Sequence, residues 1–139
     1  MDRPVPVPNT SSAPFWQATA EGRLELATCS VCHHHVHPPV PVCPSCGATE
    51  PAYAFQVVSG RGRLRSWTVL RQPFLPGLAD DLPIVLADVA LDDTEDIRLI
   101  GRLTDGPDAT IAIGEPVELT FEHLPDGSAV PAFTLAGAS

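Results

Sequence analysis

The sequence of 139 residues contains no lysine, and all eight of its basic residues are arginine. A Schiff base on a side-chain amine and a phosphate-binding P-loop both require lysine, so this chain alone can supply neither. No apolar run approaches the roughly 18 residues that a membrane-spanning helix needs. These absences exclude several common enzyme classes and a helical membrane protein.

Positive charge is also scarce, because 17 acidic residues stand against the eight arginines and give a formal net charge of −9. Such a surface repels nucleic acid and anionic membranes. Residues 1–12 lack the basic segment and apolar core of a signal peptide. We therefore expect a cytoplasmic protein in a reducing compartment, with neither nucleic acid nor membrane as a partner.

The four cysteines form two C-x-x-C pairs, Cys29/Cys32 and Cys43/Cys46, with ten residues between them. Two tight knuckle turns can place four thiolates at the corners of a tetrahedron, about 2.3 Å from a zinc ion. Gly47 follows the second pair, where the chain turns through positive φ, and His33 has the same place after the first. The spacing predicts one zinc ion per chain.

Other interpretations of the cysteines are weaker. Disulfides need an oxidising compartment, and a thioredoxin-like site needs one C-x-x-C at the start of a helix. A rubredoxin-like iron site uses the same four sulfurs and stays open, although residues 29–46 lack aromatic side chains to bury a redox centre. Four histidines between the knuckles (His33, His34, His35 and His37) invite a ligand hypothesis, but four sulfurs already satisfy zinc, so we expect solvated loop side chains.

The N-terminal part is predicted to be an extended arm followed by a short helix. Prolines alternate with valines in residues 1–12, which prevents a helix and favours an arm that is either disordered or lies on a partner. Ser12 as a cap, Pro14 in the first turn and a stop at Gly22 predict a helix over 13–21.

From residue 53 the apolar residues recur with a period of two, which predicts β-strands. The strands are expected over 53–58, 63–70, 84–91, 97–103, 117–122 and 130–135, with a bulge or sharp bend at the glycines of 60–62. Five or six short strands with little helix favour a small closed barrel, for which the OB-fold is the commonest solution. The predicted fold is mainly β, with a helix and zinc ribbon in 13–51 and an OB-fold barrel in 52–139.

Three blocks carry a family resemblance over about residues 13–135: the helix and ribbon, SGRGRLRSWTV at 59–69, and IGEPVEL at 113–119. Together with PIVLADVAL at 83–91, they resemble acyl-CoA-associated OB-fold proteins with an N-terminal rubredoxin-like zinc ribbon, long classed as a domain of unknown function. Members assemble with thiolase-superfamily enzymes. Some of these complexes condense or transfer acyl groups, and others cleave acyl-CoA by retro-aldol chemistry, as in actinobacterial steroid side-chain degradation.

The resemblance implies a non-catalytic accessory subunit that helps form the acyl-CoA channel of a thiolase-like partner in a hetero-oligomer. The residues agree, because the cysteines are committed to metal, His123 is isolated and Ser66 has no histidine nearby in sequence. Family members often carry Val-His after the SWTV block, where this chain has Leu70-Arg71, so no role of that histidine is expected here. The alternatives are a nucleic-acid-binding module and a self-sufficient acyl-CoA-binding protein.

Two sets of binding residues are predicted. Alternation along a strand places arginines and one tryptophan on one face, where they could meet the phosphates and adenine of coenzyme A, an acidic partner, or only solvent. This set comprises Arg61, Arg63, Arg65, Trp67 and Arg71. Large apolar side chains outside the barrel core form the second set, as candidate partner contacts. These are Phe15, Trp16, Phe74, Leu75 and Leu78.

Overall fold

The computed structural model describes residues 3–94 and 96–136, so the ends of the predicted arm and barrel segments lie outside the described residues. Within those ranges the chain is mainly β, as predicted. The helix and strands are α1 (Ala13–Ala20), β1 (Glu25–Cys29), β2 (His35–Val36), β3 (Tyr53–Val57), β4 (Arg61–Leu70), β5 (Ile84–Leu91), β6 (Arg98–Leu103), β7 (Pro116–His123) and β8 (Ala129–Leu135). No helix in the described ranges is long and apolar enough to cross a membrane.

Five strands close into a barrel in the order β4-β5-β6-β8-β7. Neighbours are antiparallel except β6 and β8, which run parallel at Arg102–Leu103 and Ala132–Phe133. The barrel closes where β4 meets β7, at Arg61–Arg63. Its interior holds fully buried apolar side chains such as Leu64, Val89 and Phe133. The predicted closed barrel is confirmed.

The remaining three strands form a separate sheet in the order β2-β1-β3. Residues 53–58 were predicted to belong to the barrel segment, but β3 pairs with β1 along its whole length, from Tyr53 opposite Cys29 to Val57 opposite Glu25. A period of two identifies a strand without showing which sheet it joins. The chain then bends at Gly60, with φ of +79°, and enters the barrel.

The glycines of 60–62 have different roles. Gly60 provides the predicted bend, since a positive φ is strained for other residues. Gly62 lies in β4, where an added Cβ would stand 2.5 Å from the carbonyl oxygen of Ala90, so only glycine lets the two strands approach this closely. The bulge itself lies further along β4, at Arg65.

Helix α1 is attached to the barrel by a buried hydrogen bond. The Thr19 hydroxyl, with no exposed surface, lies 2.8 Å from the carbonyl oxygen of Ala129 in β8. Pro14 occupies the first turn as predicted. Ser12 is the N-cap residue as predicted, but its hydroxyl makes no capping hydrogen bond to α1 and instead accepts one from the Asn9 N–H at 3.0 Å.

The segment before α1 contacts the chain's own barrel. The Arg3 guanidinium lies 2.7 Å from the Glu122 carboxylate, which also pairs with Arg102 at 3.5 Å. Glu122 belongs to β7, so the start of the described chain contacts the barrel wall. Residues 3–9 form neither helix nor strand, and the contact of Arg3 is intramolecular, so an extended arm stays a prediction.

Candidate metal centre and surface groove

The predicted ligand set comes together in the ribbon. All four cysteine Sγ atoms lie within 4.8 Å of one another. Cys29 and Cys46 are separated by 3.9 Å between sulfurs, and Cys32 and Cys43 by 3.8 Å. A tetrahedron with metal–sulfur bonds of about 2.3 Å has edges of about 3.8 Å, so the sulfurs stand where a four-thiolate metal site requires them.

The two knuckles have matching backbone geometry. The His33 N–H donates to the Cys29 carbonyl and the Gly47 N–H donates to the Cys43 carbonyl, each at 2.9 Å. His33 and Gly47 adopt φ of +63° and +76°, as their positions after each pair predict. The Val31 N–H also points at the Cys29 sulfur at 3.4 Å, as the second shell of a thiolate site does.

The charge state of the sulfurs also fits a cation. The backbone N–H of Cys32 lowers the pKa of Cys29 to about 7. The Ala48 N–H acts to lower the pKa of Cys46, but burial and the neighbouring sulfurs raise it to about 11. Four thiolates therefore do not coexist near neutral pH unless a cation compensates them, and a soft divalent ion suits this all-sulfur set.

Tyr53 packs on the cysteine cluster, and the sequence did not predict this contact. Its ring joins Cys29 and Cys43 in the ribbon core, and its hydroxyl donates to the Val40 carbonyl at 2.6 Å. It arrives on β3, outside the stretch 29–46 whose lack of aromatics favoured zinc over iron. That argument against iron therefore does not hold, and no sequence signal placed Tyr53 here.

The histidines between the knuckles differ in environment. His33 is exposed as predicted, and His34 pairs with the Asp96 carboxylate. His37 departs from the prediction, because its ring packs 4.9 Å from the Phe15 ring and burial lowers its pKa. The one cluster of metal-ligating side chains found in 3–94 and 96–136 consists of the cysteines alone.

The predicted arginine face is interrupted by a β-bulge. Arg63 pairs with Ala90 of β5, whereas Trp67 pairs with Ala87, because the register shifts at Arg65. Paired residues share a face, and positions three apart on a strand point to opposite faces. Arg63 and Trp67 therefore face opposite sides of β4, and the prediction of a shared face is wrong.

Two of the five candidates line one groove. Arg63 and Arg65 border an open groove of about 920 Å³, together with Ile113, Asp92 and Asp96. The Arg63 guanidinium donates to the Gly114 carbonyl at 3.2 Å. The other three candidates, Arg61, Trp67 and Arg71, are not among its lining residues.

The apolar candidates also divide. Phe15 is 4% exposed and belongs to the large core, and Leu78 is 8% exposed, so burial within the chain removes both from the predicted partner contacts. Phe74 and Leu75 are 77% and 53% exposed, as a contact surface requires. Phe74 and Leu75 therefore remain candidate partner contacts, and Leu78 does not.

Trp16 is half-buried and stands at the rim of a second groove. Its ring meets Phe15 edge-on, with centroids 4.9 Å apart. It lines an apolar groove of about 400 Å³ with Pro38, Pro39 and Ile100. Ile100 was not predicted as a contact, yet it is 66% exposed in the middle of β6. An isoleucine within a strand is usually buried, so no sequence signal indicated exposure. The side chain of Ile100 faces outward because of the register of β6 in the barrel.

Family comparisons agree with this architecture. Residues 16–52 match the ChsH2 rubredoxin-like zinc ribbon domain, and residues 55–122 match the ChsH2 C-terminal OB-fold domain. A solved structure titled Ltp2-ChsH2(DUF35) aldolase is 30% identical, with a TM-score of 0.80 over 95% of this chain and 99% of that chain. Ribbon and barrel thus define a ChsH2-type protein. The chain belongs to the DUF35 family.

A second structure, a DUF35 protein of unknown function from Sulfolobus solfataricus, shares the fold. It is 12% identical, with a TM-score of 0.57 over 91% of this chain and 86% of that chain. At this identity the likeness concerns architecture alone.

Two curated relatives are longer than this chain. A probable enoyl-CoA hydratase alpha subunit from Thermomonospora curvata is 33% identical over 131 residues, covering 94% of this chain and 39% of the relative. The 3-oxo-4,17-pregnadiene-20-carboxyl-CoA hydratase alpha subunit from Mycobacterium tuberculosis is 38% identical over 92 residues, covering 66% of this chain and 28% of the relative. The chain therefore spans less than two fifths of their length.

Proposed function

We propose that this chain is a non-catalytic accessory subunit of a thiolase-superfamily complex that acts on acyl-CoA thioesters. The observation that carries the proposal is the whole-chain match to the Ltp2-ChsH2(DUF35) aldolase structure, with 99% of that chain covered at a TM-score of 0.80. The complex would perform retro-aldol cleavage, as in steroid side-chain degradation, or acyl transfer or condensation. This subunit would help form the acyl-CoA channel.

The described residues support an accessory role because they hold no activated nucleophile. The cysteines converge on the metal site, and the Ser66 hydroxyl lies 3.3 Å from the Asp88 carboxylate, with no histidine among its hydrogen-bond partners. His123 is exposed at the end of β7. A serine or cysteine nucleophile needs an adjacent base, so the partner's residues would do the chemistry.

The proposal includes one zinc ion per chain, held by Cys29, Cys32, Cys43 and Cys46. Four protein ligands leave no open coordination position, which is the arrangement of a structural rather than a catalytic zinc. Bound there, zinc would fix the two knuckles and supply no reacting group. Elemental analysis of freshly purified protein separates zinc from iron.

Partner contacts would come from Trp16 and Ile100 on one side and from Phe74 and Leu75 on the other. An aromatic anchor at an interface commonly decides about 2 kcal/mol or more, which is about thirtyfold in affinity. Trp16→Ala and Phe74→Ala should each weaken assembly by that factor. Val7→Ala, a change at a side chain that is 88% exposed on the arm, is the matched control.

Co-expression with a thiolase-superfamily protein from the same genome, followed by size-exclusion chromatography, tests the proposal. The two chains should elute together, and the Val7 variant should elute as the wild type does. Separate elution of the wild-type chains at micromolar concentration would contradict the proposal.

The main alternative is a nucleic-acid module, since OB-folds and zinc ribbons both serve that purpose. A net charge of −9 opposes it. We expect no binding of single-stranded DNA or RNA at micromolar protein and physiological salt. The third possibility is a self-sufficient acyl-CoA-binding protein. Acyl-CoA binding or turnover by this chain that does not increase when a partner is added would favour it.

A further inference from the structure

The arginines of the described chain fall into two groups. Four of them have a carboxylate within 4 Å: Arg3, Arg23, Arg98 and Arg102. The other four lie on or directly after β4, and none has such a partner among the described residues: Arg61, Arg63, Arg65 and Arg71. In a chain with 17 acidic and eight basic residues, four arginines without carboxylate partners on one strand indicate an anionic ligand from outside.

Only two of these four, Arg63 and Arg65, are among the residues that line one groove. They are two residues apart on β4, and the register shift at Arg65 reverses the alternation beyond them, so that Trp67 lies on the other face from Arg63. Bulges commonly redirect side chains beside binding sites. The Gly114 carbonyl accepts a hydrogen bond from Arg63 at 3.2 Å, which holds that guanidinium at the groove wall.

The rest of the groove restricts the kind of anion. Asp92 and Asp96 also line it, so a simple anion would meet repulsion as well as attraction. A ligand that suits both must carry phosphate in one place and hydrogen-bond donors in another. Ile113, 74% exposed in the same lining, offers an apolar surface for a flat ring. A phosphorylated adenosine has all of these parts: a phosphate, hydroxyl and amino donors, and a flat ring.

We propose that this groove binds the 3′-phosphoadenosine end of coenzyme A. Arg63 and Arg65 contact the 3′-phosphate, the adenine lies against Ile113, and Asp92 or Asp96 accepts hydrogen bonds from the amino or ribose hydroxyl groups. The choice of coenzyme A among phosphorylated nucleosides rests on the proposed function. Trp67 and Arg71 do not belong to this subsite.

Isothermal titration of the metal-loaded full chain with adenosine 3′,5′-bisphosphate and with AMP tests the site directly. The two probes differ only by the 3′-phosphate. Charge-assisted hydrogen bonds contribute about 1.5–3 kcal/mol, so the bisphosphate should bind at least about tenfold more tightly. This preference should disappear in Arg63→Ala/Arg65→Ala. It should remain in Arg71→Ala, because Arg71 lies outside the groove and, like them, has no carboxylate partner among the described residues.

The reconstituted complex supplies a second readout that separates the two proposals. Arg63→Ala/Arg65→Ala should co-elute with the partner and raise the KM for acyl-CoA by about tenfold with kcat nearly unchanged. Equal binding of the two probes by the wild type, a preference that survives in the double variant, or an unchanged KM in an intact complex would overturn the groove assignment. A wild-type chain that prefers the bisphosphate but binds no partner would instead overturn the accessory-subunit proposal.

Discussion

The ribbon and the barrel are held together by different forces. The barrel belongs to a core that contains 14 buried side chains among the described residues, including Leu64, Leu103 and Phe133. The buried cluster of the ribbon contains only Cys29, Val36 and Cys43. So small an apolar cluster cannot offset the conformational entropy lost on folding, whereas a structural metal can. We therefore expect the barrel to carry its own stability and the knuckles to depend on a bound metal.

Part of the segment that precedes the barrel strands belongs to the large apolar core and not to the metal-dependent knuckles. Phe15, Leu24, Leu26 and Val58 are buried in the large core, although they precede the barrel strands in sequence. The Val58 N–H also donates to the Leu24 carbonyl at 2.9 Å. Helix α1 and the start of β1 are thus packed as part of the barrel, and only the segment of the two knuckles depends on the cysteines.

Removal of one metal ligand should have the largest effect, and that effect should be confined to the knuckles. Structural zinc supplies about 10–16 kcal/mol of apparent binding energy, so Cys43→Ser should release the metal and unfold residues 29–47. The barrel should stay folded, because its core does not include the site. Elemental analysis and hydrogen exchange resolved by peptide measure the two effects. Retained metal, or exchange of β4–β8 at the rate of the knuckles, would contradict this division.

A cavity in the barrel core should instead lower the stability of the barrel. Phe133 has no exposed surface, and Phe133→Ala should lower the free energy of unfolding of the barrel by about 3–5 kcal/mol. Urea denaturation followed by circular dichroism measures the loss. Phe74→Ala removes the same ring from a side chain that is 77% exposed and should change stability by less than about 0.5 kcal/mol. Equal losses in both variants would show that the barrel core does not dominate stability.

The hydrogen bond between α1 and the barrel should contribute less to stability than the buried ring of Phe133. Thr19→Val keeps the shape of the side chain but removes the donor to the Ala129 carbonyl, at a cost of about 1–3 kcal/mol. Hydrogen exchange should become faster in α1 while the metal content stays unchanged. The exposed Thr110→Val is the control, and equal behaviour of the two variants would refute a role for this bond.

The smallest expected effect is a pH dependence at the contact between ribbon and helix. Burial lowers the pKa of His37 in the folded protein below its ordinary value of 6.5. The unfolded chain then binds more protons, so this contribution is complete above pH 6.5 and is lost as the pH falls through the folded-state pKa. Urea midpoints between about pH 7.5 and 5.5 should fall less steeply in His37→Gln than in the wild type. Identical slopes would contradict it.

Strand positions and metal ligands could be predicted from sequence because each has a local signature. Strand β5 begins and ends where its apolar run does, at Ile84 and Leu91, and the cysteine spacing predicted the sulfur cluster. Pairing has no local signature, so the place of β3 in the ribbon sheet was missed. The bulge at Arg65 contains no glycine that could have marked it, and it places Trp67 on the opposite face from Arg63.

Burial of aromatics was also beyond the sequence. Phe15 and Trp16 are adjacent and similar in size, yet α1 turns one into the core and leaves the other at a groove rim. A short helix with few polar residues gives little periodicity to separate the two faces. Burial therefore removes Phe15 and Leu78 from the predicted interface, and a partner contact by Trp16, Phe74 and Leu75 stays a prediction.

The central claim is that the chain supports chemistry performed by a partner. The most direct test is acyl-CoA turnover by the purified chain, by its thiolase-like partner, and by the two combined, at equal concentrations and with the metal content verified. We predict no turnover by this chain, little by the partner alone, and full turnover by the combination. Full turnover by this chain alone, or by the partner without it, would contradict the account.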